Sequence, residues 1–452
     1  MAKHLKWLLV LIVILMLASS VAAQEPVELT IAGVGGAELQ WLNEYVKPNF
    51  EAAMAAAGTP VVVTPIEFTG SGENLRQQYA LDLGAGGGSD VLAFDGFWLP
   101  EFAEGGLLQP LTALVGDAAL EWEGWSVIPP AIQEIMGYNG DLYGMPRGTD
   151  GRVIWVRTDL LEQAGLPADW QPTSWAELLD GARAVQEALP GVSAIQLNAG
   201  TAMGEATTLQ GYIMALLGAG EHVYNFETGK WIVSSPAILD TLELYQTIYG
   251  DEELGNVRWQ LVQNGRDLSF EAFSKGEVAM LVEGDYFWRS VIVPSGNFPM
   301  ENRDEVVNFV MMPAQEPGSG YRGQDFVSAS GGTGFVLNPN SANLELSWQL
   351  MEFMFGKDAA DALQELQPRI RARTDVSVPN DEVMTRIATE VLPLSVIRPQ
   401  LPAYNQVSAQ IQLMTERIVS GEMTPEEAMA AYDAAVVEIV GEENVERIPL
   451  DG

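Results

Sequence analysis

Apolar positions over residues 27–31 alternate with the period of two that marks a strand, and Gly33, Gly35 and Gly36 then break the pattern. Helical spacing follows over 39–57, and a second strand over 61–68. After the turn Gly70-Ser71-Gly72, residues 73–83 read as a helix, and a glycine-rich link over 84–88 leads into the apolar run Val91-Leu92-Ala93-Phe94. This succession predicts a parallel sheet with helices on its faces. Ligands of such sheets collect beyond the carboxyl ends of the strands, so residues 35–38, 67–71 and 95–98 attract attention first.

A second unit begins near Tyr143. Residues 152–156 read as a strand, and Pro172-Thr173-Ser174 introduces a helix with Ser174 and Glu177 spaced as a capping box. The next strand is expected over 194–197, with helices around 206–217 and 236–249. Pro313, Pro317, Gly318, Gly320, Gly323, Gly331, Gly332 and Gly334 make 313–334 loop-rich, a crossing between two lobes. Leu346, Leu350, Phe353 and Met354 mark one helix face ended by Gly356, and Thr424-Pro425-Glu426-Glu427 opens the last helix as a capping box.

The start of the chain has the form of a secretory signal over residues 1–23. Lys3, His4 and Lys6 precede an apolar run from Trp7 to Leu17, and Val21-Ala22-Ala23 offers small residues for cleavage. The apolar stretch also comes close to the roughly 20 residues that span a bilayer, so an uncleaved anchor stays open. The chain has no cysteine, which excludes a lipid-bearing thiol, disulfides, thiolate catalysis and cysteine zinc sites; two histidines cannot build a histidine-rich metal centre. A periplasmic or extracellular protein without a lipid anchor is expected.

With 61 acidic and 23 basic residues the formal charge is −38, a field that repels nucleic acid and anionic membranes. Six lysines stand against 17 arginines. The acid excess suits a salty habitat or an exported protein tuned for solubility. A content of 47 % hydrophobic residues provides ample core, and 452 residues suggest two or three domains.

Catalytic signatures are mostly missing. Gly33-Val34-Gly35 has Glu38 where a dinucleotide fingerprint needs its last glycine, and Gly70-Ser71-Gly72 has Leu75 there. Neither a Walker A sequence nor a Gly-x-Ser-x-Gly elbow occurs. His222, beside Gly220 and Glu221, reads as a solvated loop residue. Paired carboxylates remain possible, and Glu67 with Asp95 would be the pair of a secreted glycosidase or lyase. No cofactor and no metal site is expected.

The loops after strands hold what a neutral sugar requires, planar donors and acceptors beside aromatic rings. Glu38 is followed by Trp41, Asp95 by Phe97 and Trp98, Arg147 by Asp150, and Glu283 and Asp285 by Tyr286, Phe287 and Trp288. For any single ring, a place in the core is an equally good explanation.

Ordered fragments carry a family resemblance. They include Ser89-Asp90-Val91 through Asp95, Trp98 to Glu101-Phe102, and Leu142-Tyr143-Gly144-Met145-Pro146. Asp159-Leu160-Leu161, Pro172-Thr173-Ser174-Trp175, and Phe273 to Met280 with Gly284 and Trp288 follow. Gly331-Gly332-Thr333-Gly334, Arg373-Thr374-Asp375-Val376, Pro402-Ala403-Tyr404 and 424–428 complete the series. Together they make the chain resemble the extracellular solute-binding proteins of bacterial ABC transporters, in the carbohydrate-binding branch similar to maltose-binding proteins.

The resemblance implies an α/β, two-lobed periplasmic-binding-protein fold of type II, each lobe a mainly parallel sheet flanked by helices. It implies lobes of 24–145 plus 332–370 and of 146–331 plus 371–452, closing on a small-molecule ligand between them. The implied function is non-enzymatic capture of a mono- or oligosaccharide by a monomer that hands it to permease subunits, or to a sensor. A polyol phosphate, uronate or polyamine is the alternative guest. Carried over by position, the ligand-binding candidates are Glu38, Glu67, Asp95, Trp98, Arg147, Asp150, Asp285, Tyr286, Trp288, Gly331, Gly332 and Arg373; Trp41 and Trp259 join them on composition. Departures are the missing lipobox cysteine and the run Arg369-Ile370-Arg371-Ala372-Arg373, whose guanidinium groups suit a carboxylate or phosphate.

Overall fold

In a computed structural model, residues 25–376 and 381–450 are described; the expected signal segment lies outside them. Eleven strands position everything that follows: β1 (Val27–Val34), β2 (Val61–Glu67), β3 (Val91–Asp95), β4 (Gly144–Thr149), β5 (Arg152–Arg157), β6 (Ser193–Gln196), β7 (Val278–Gly284), β8 (Val307–Val310), β9 (Phe326–Ser330), β10 (Gly332–Leu337) and β11 (Ser395–Ile397). The first sheet has the order β2-β1-β3-β10-β4, and the second β8-β5-β7-β6.

Each sheet is covered on both faces because its strands alternate between two apolar clusters. Leu29, Ile31, Val91, Ala93, Phe335 and Leu337 pack on one side of the first sheet with Trp41, Trp348 and Met351. Leu92, Phe94 and Val336 point the other way, to Tyr79, Trp98 and Phe102. In the second sheet, Ile154, Val156, Met280 and Val282 face one cluster, while Val153, Trp155 and Leu281 face another. Burying a side chain of this size contributes about 1.5–3 kcal/mol, and a one-residue slip of any strand would reverse every assignment.

The expected mainly parallel sheets hold only in part. β1 runs parallel to β2 and to β3, but β10 is antiparallel to β3 and β4. β5 is antiparallel to β7 and β8, and only β7 and β6 are parallel. The cause is topological: β10 enters the first sheet directly after β9, a strand of a separate three-stranded sheet, so it arrives from the opposite end.

The loop-rich reading of 313–334 also needs correction, since β9 and the start of β10 lie in it. Its glycines mark close packing. A Cβ on Gly334 would stand 2.3 Å from the Met145 carbonyl, and one on Gly332 2.5 Å from the Ile135 side chain. The helix expected over 39–57 is two α-helices, Gly36–Trp41 and Lys47–Ala56, joined by a wider π turn just ahead of Pro48, which has no N–H to donate.

Both capping signals start helices. Ser174 Oγ accepts from the Glu177 amide, though Glu177 reaches back to Thr173 instead of Ser174. Thr424 and Glu427 form the full reciprocal box. His222 is not solvated: it is buried, its Nδ1 accepts from the Tyr224 amide, and burial lowers its pKa to about 4.

Candidate functional site

Three chain segments run close together at the edge of the first sheet. β4 continues through Asp150-Gly151 into β5, and β9 passes through Gly331 into β10. Residues 369–373 lie along β4: the Thr149 amide donates to the Ile370 carbonyl at 3.1 Å, and the Ala372 amide to the Arg147 carbonyl at 3.3 Å. Gly148 permits this approach, because a Cβ there would stand 2.3 Å from the Ile370 carbonyl. At the carboxyl end of β3 Asp95 meets Arg398, which follows β11, and at that of β4 Thr149 meets Ser330 of β9.

Arg398, just after β11, is the centre of one polar group. Its guanidinium lies over the Phe97 ring at 4.0 Å, donates to Asp95 Oδ1 at 3.1 Å, and to Glu205 Oε1 at 2.9 Å. Tyr404 and Ser408 also donate to the Glu205 carboxylate, at 2.6 and 2.7 Å. Burial pushes the Asp95 carboxyl up while Arg398 pulls it down, and burial prevails. Burial disfavours the Arg398 charge, but Asp95 and Glu205 more than compensate and raise its pKa. Beside it, Asn405 from the 404–419 helix donates to Glu101, which also accepts from Arg76 at 2.6 Å.

A second group fills the crossing. The Asp150 carboxylate accepts from Arg152 and from the Gly331 amide at 2.7 Å. Burial would raise its pKa, yet Arg152, that amide and Arg369 together hold it down to about 2. Glu38 pairs with Arg147, which also donates to the Thr333 hydroxyl at 2.8 and 3.1 Å; Arg369 donates to the same oxygen at 3.0 Å. Asp285 pairs with Arg289 at 2.8 Å, and burial sets its pKa above the usual value despite that cation.

Tyr286 is the third. Its hydroxyl lies among Glu283, Arg266 and Gln210, while Asn198 donates to Glu283 at 3.1 Å. Fully buried Glu283 stays low in pKa, because Arg266, Tyr286 and Asn198 outweigh its desolvation. Among the described residues no group of three or more side chains suits a metal ion.

The structure thus gathers Glu38, Asp95, Arg147, Asp150, Asp285, Tyr286 and Gly331 around the crossings. Gly332 continues β10 there, packed on Ile135. Other expected residues lie elsewhere. Glu67 is exposed at the end of β2. Trp41 is a core ring whose Nε1 donates to the Ala359 carbonyl, and Trp98 packs edge-on against Phe94. Trp288 stacks with Trp155 and donates to Asp381; Trp259 is half-buried against the same apolar cluster. Arg373 pairs with Asp375 and donates to the Phe355 carbonyl.

Residues that sequence reasoning missed are Arg398, Glu205, Arg266, Arg289 and Thr333. Arg398 had one available signal, its place just before the Pro402-Ala403-Tyr404 fragment. Glu205 had none.

Carboxylates, guanidinium groups, side-chain amides and phenols arranged in this way can grip hydroxyls from several sides, and the three groups contain no activated nucleophile. A sequence profile of the bacterial extracellular solute-binding proteins matches residues 35–361, and the chain belongs to that family. It is 25 % identical over 435 residues to a binding protein of Brucella abortus (strain 2308), covering 93 % of this chain and 95 % of that one. Over 176 residues it is 27 % identical to the mannitol-binding protein of Pseudomonas aeruginosa, 38 % of this chain and 39 % of that one. The solved ABC-transporter solute-binding protein of Thermotoga lettingae, bound with α-D-tagatose, superposes with a TM-score of 0.75 at 27 % identity, covering 92 % of this chain and all of that one. The shared fold is that of the periplasmic binding proteins.

Proposed function

We propose that this solute-binding protein is exported, captures a sugar or sugar alcohol between two lobes, and delivers it to the permease of an ABC importer with its bonds intact. In this reading the lobes are built on the two sheets, and the pairing of β4 with the first sheet through Thr149 supports a boundary near Asp150. The observation that carries this reading is the Arg398 bridge: one guanidinium on the second unit holds Asp95 of the first and Glu205 of its own. Together with Asn405 on Glu101, it is a polar contact made by both units at once. A guest that adds contacts to both would favour the shut form by its differential affinity.

Hydroxyl-bearing guests agree with the tagatose and mannitol of the two named relatives. Lying between lobes, a guest would meet donors and acceptors from Glu38, Asp150 and Tyr286, with the Phe97 ring as its apolar wall. Calorimetry of the purified protein against a broad panel of sugars and polyols tests the proposal. At least one saturable, stoichiometric binder is expected, recovered unchanged; a silent panel, or conversion of the guest to product, would refute it.

A further inference from the structure

Arg369 is 5 % exposed, and among the described residues its Nε has no hydrogen-bond partner. Among the same residues its guanidinium makes one side-chain hydrogen bond, to the Thr333 hydroxyl, which Arg147 addresses through two more N–H groups. Three donors on two guanidinium groups thus converge on one neutral oxygen with two lone pairs. Among the described residues Arg371, two residues along the same extended segment, bonds only to neutral oxygens: Gln364 Oε1 at 2.5 Å and the Gln367 carbonyl at 2.9 Å. Among the described residues neither Arg369 nor Arg371 meets a carboxylate at ion-pair distance, whereas Arg147, Arg152 and Arg289 do.

The local balance is therefore cationic inside a chain whose formal charge is −38. Five guanidinium groups, Arg147, Arg152, Arg289, Arg369 and Arg371, share three carboxylates, Glu38, Asp150 and Asp285, and of these Asp150 bonds directly to Arg152 and the Gly331 amide while acting on Arg369 only through its charge. Burial, then Arg147, Arg289 and Arg371, depress the Arg369 pKa well below its ordinary value. Arg371 falls to about 9 by burial, then Arg289 and Arg147. A buried guanidinium is costly unless an anion pairs with it, and its planar fork matches a carboxylate or phosphate.

Resting on the sugar-capture reading above, we propose that the guest carries an oxyanion, a carboxylate or phosphate on a sugar, which seats on Arg369 and Arg147 where they now share the Thr333 hydroxyl. Such a group would occupy both forks with charge-assisted hydrogen bonds and draw Arg371 toward it. The neutral remainder of the sugar would be left to the groups around Asp150 and Tyr286.

The test is calorimetry with matched pairs: D-galacturonate against D-galactose, D-glucuronate against D-glucose, and glucose 6-phosphate against glucose. At least one acid should bind about tenfold or more tightly than its neutral partner, about 1.4 kcal/mol. The uronate and phosphate arms tell the two oxyanions apart. In Arg369→Gln the ratio should fall toward one, and Arg371→Gln should lower it less; thermal melting establishes that each variant is folded, and the second variant carries the test if the first is not. Neutral sugars binding as tightly as every acid would overturn the anion and leave sugar capture standing. Acid preference retained undiminished in a folded variant would also overturn it, and so would silence of all three pairs, with sugar capture then judged by the broad panel of sugars and polyols.

Discussion

Replacing Arg398 with methionine removes the cation that joins Asp95 and Glu205 while keeping an apolar stem against the Phe97 ring. Two hydrogen bonds to charged groups are lost, each worth about 1.5–3 kcal/mol, with about 0.5–2 kcal/mol from the cation over the ring. Burial of the methionine side chain returns about 1.5–3 kcal/mol. The midpoints of these terms leave a net cost of about 3.5 kcal/mol at neutral pH, within the about 3–5 kcal/mol range for a buried pair deprived of one member. It should be smaller at acid than at neutral pH, because Asp95, whose pKa is raised by burial, becomes neutral on acidification and no longer needs a cation.

Urea unfolding at both pH values reads the cost directly, and a double-mutant cycle with Asp95→Asn isolates the part that crosses between the sheets, about 1–2 kcal/mol. A loss below about 1 kcal/mol at pH 7, or a loss that does not change with pH, would refute the reasoning.

His222 contributes stability that is full above its unfolded pKa of about 6.5, declines as pH falls below that value, and is lost by its folded value of about 4. The decline amounts to about 3 kcal/mol, and His222→Gln should flatten the melting-temperature profile across that window; an unchanged slope would count against a buried neutral imidazole. Gly148→Ala would drive a Cβ against the Ile370 carbonyl and part the 369–373 segment from β4, costing about 1–3 kcal/mol in urea unfolding. Thr424→Ala removes one arm of the capping box of the Pro425–Val440 helix and should cost about 1 kcal/mol, read by the same method.

The strands of the first sheet were legible because their side chains alternate between two apolar clusters and keep period two along the chain. Pairing direction was not: β10 joins β3 from far along the sequence, and nothing local to Thr333 or Gly334 announces a partner at Asp95 or Phe94. Glycines misled where Gly332 and Gly334 serve close packing instead of a loop. Acids and arginines near the crossings were partly legible from their places after strands, as with Asp95 and Asp150.

The aromatic neighbours were read less well. Trp41, Trp98 and Trp288 follow polar residues in sequence, but each lies in or beside a helical turn that directs the ring inward. The arginine-rich run was visible as composition; that among the described residues Arg369 has no carboxylate at ion-pair distance emerges only when Thr333 and Gln364 stand beside it.

β10 is inserted between β3 and β4, so the first sheet cannot be completed until Leu337 is available to pair with Val91. A nascent chain ending before that point would present two bare strand edges, and the closing contact spans most of the polypeptide, which makes folding slow and holds shorter chains in an unfinished, adhesive state. If the chain is exported as proposed above, such delay keeps the polypeptide pliable until the far side of the membrane is reached.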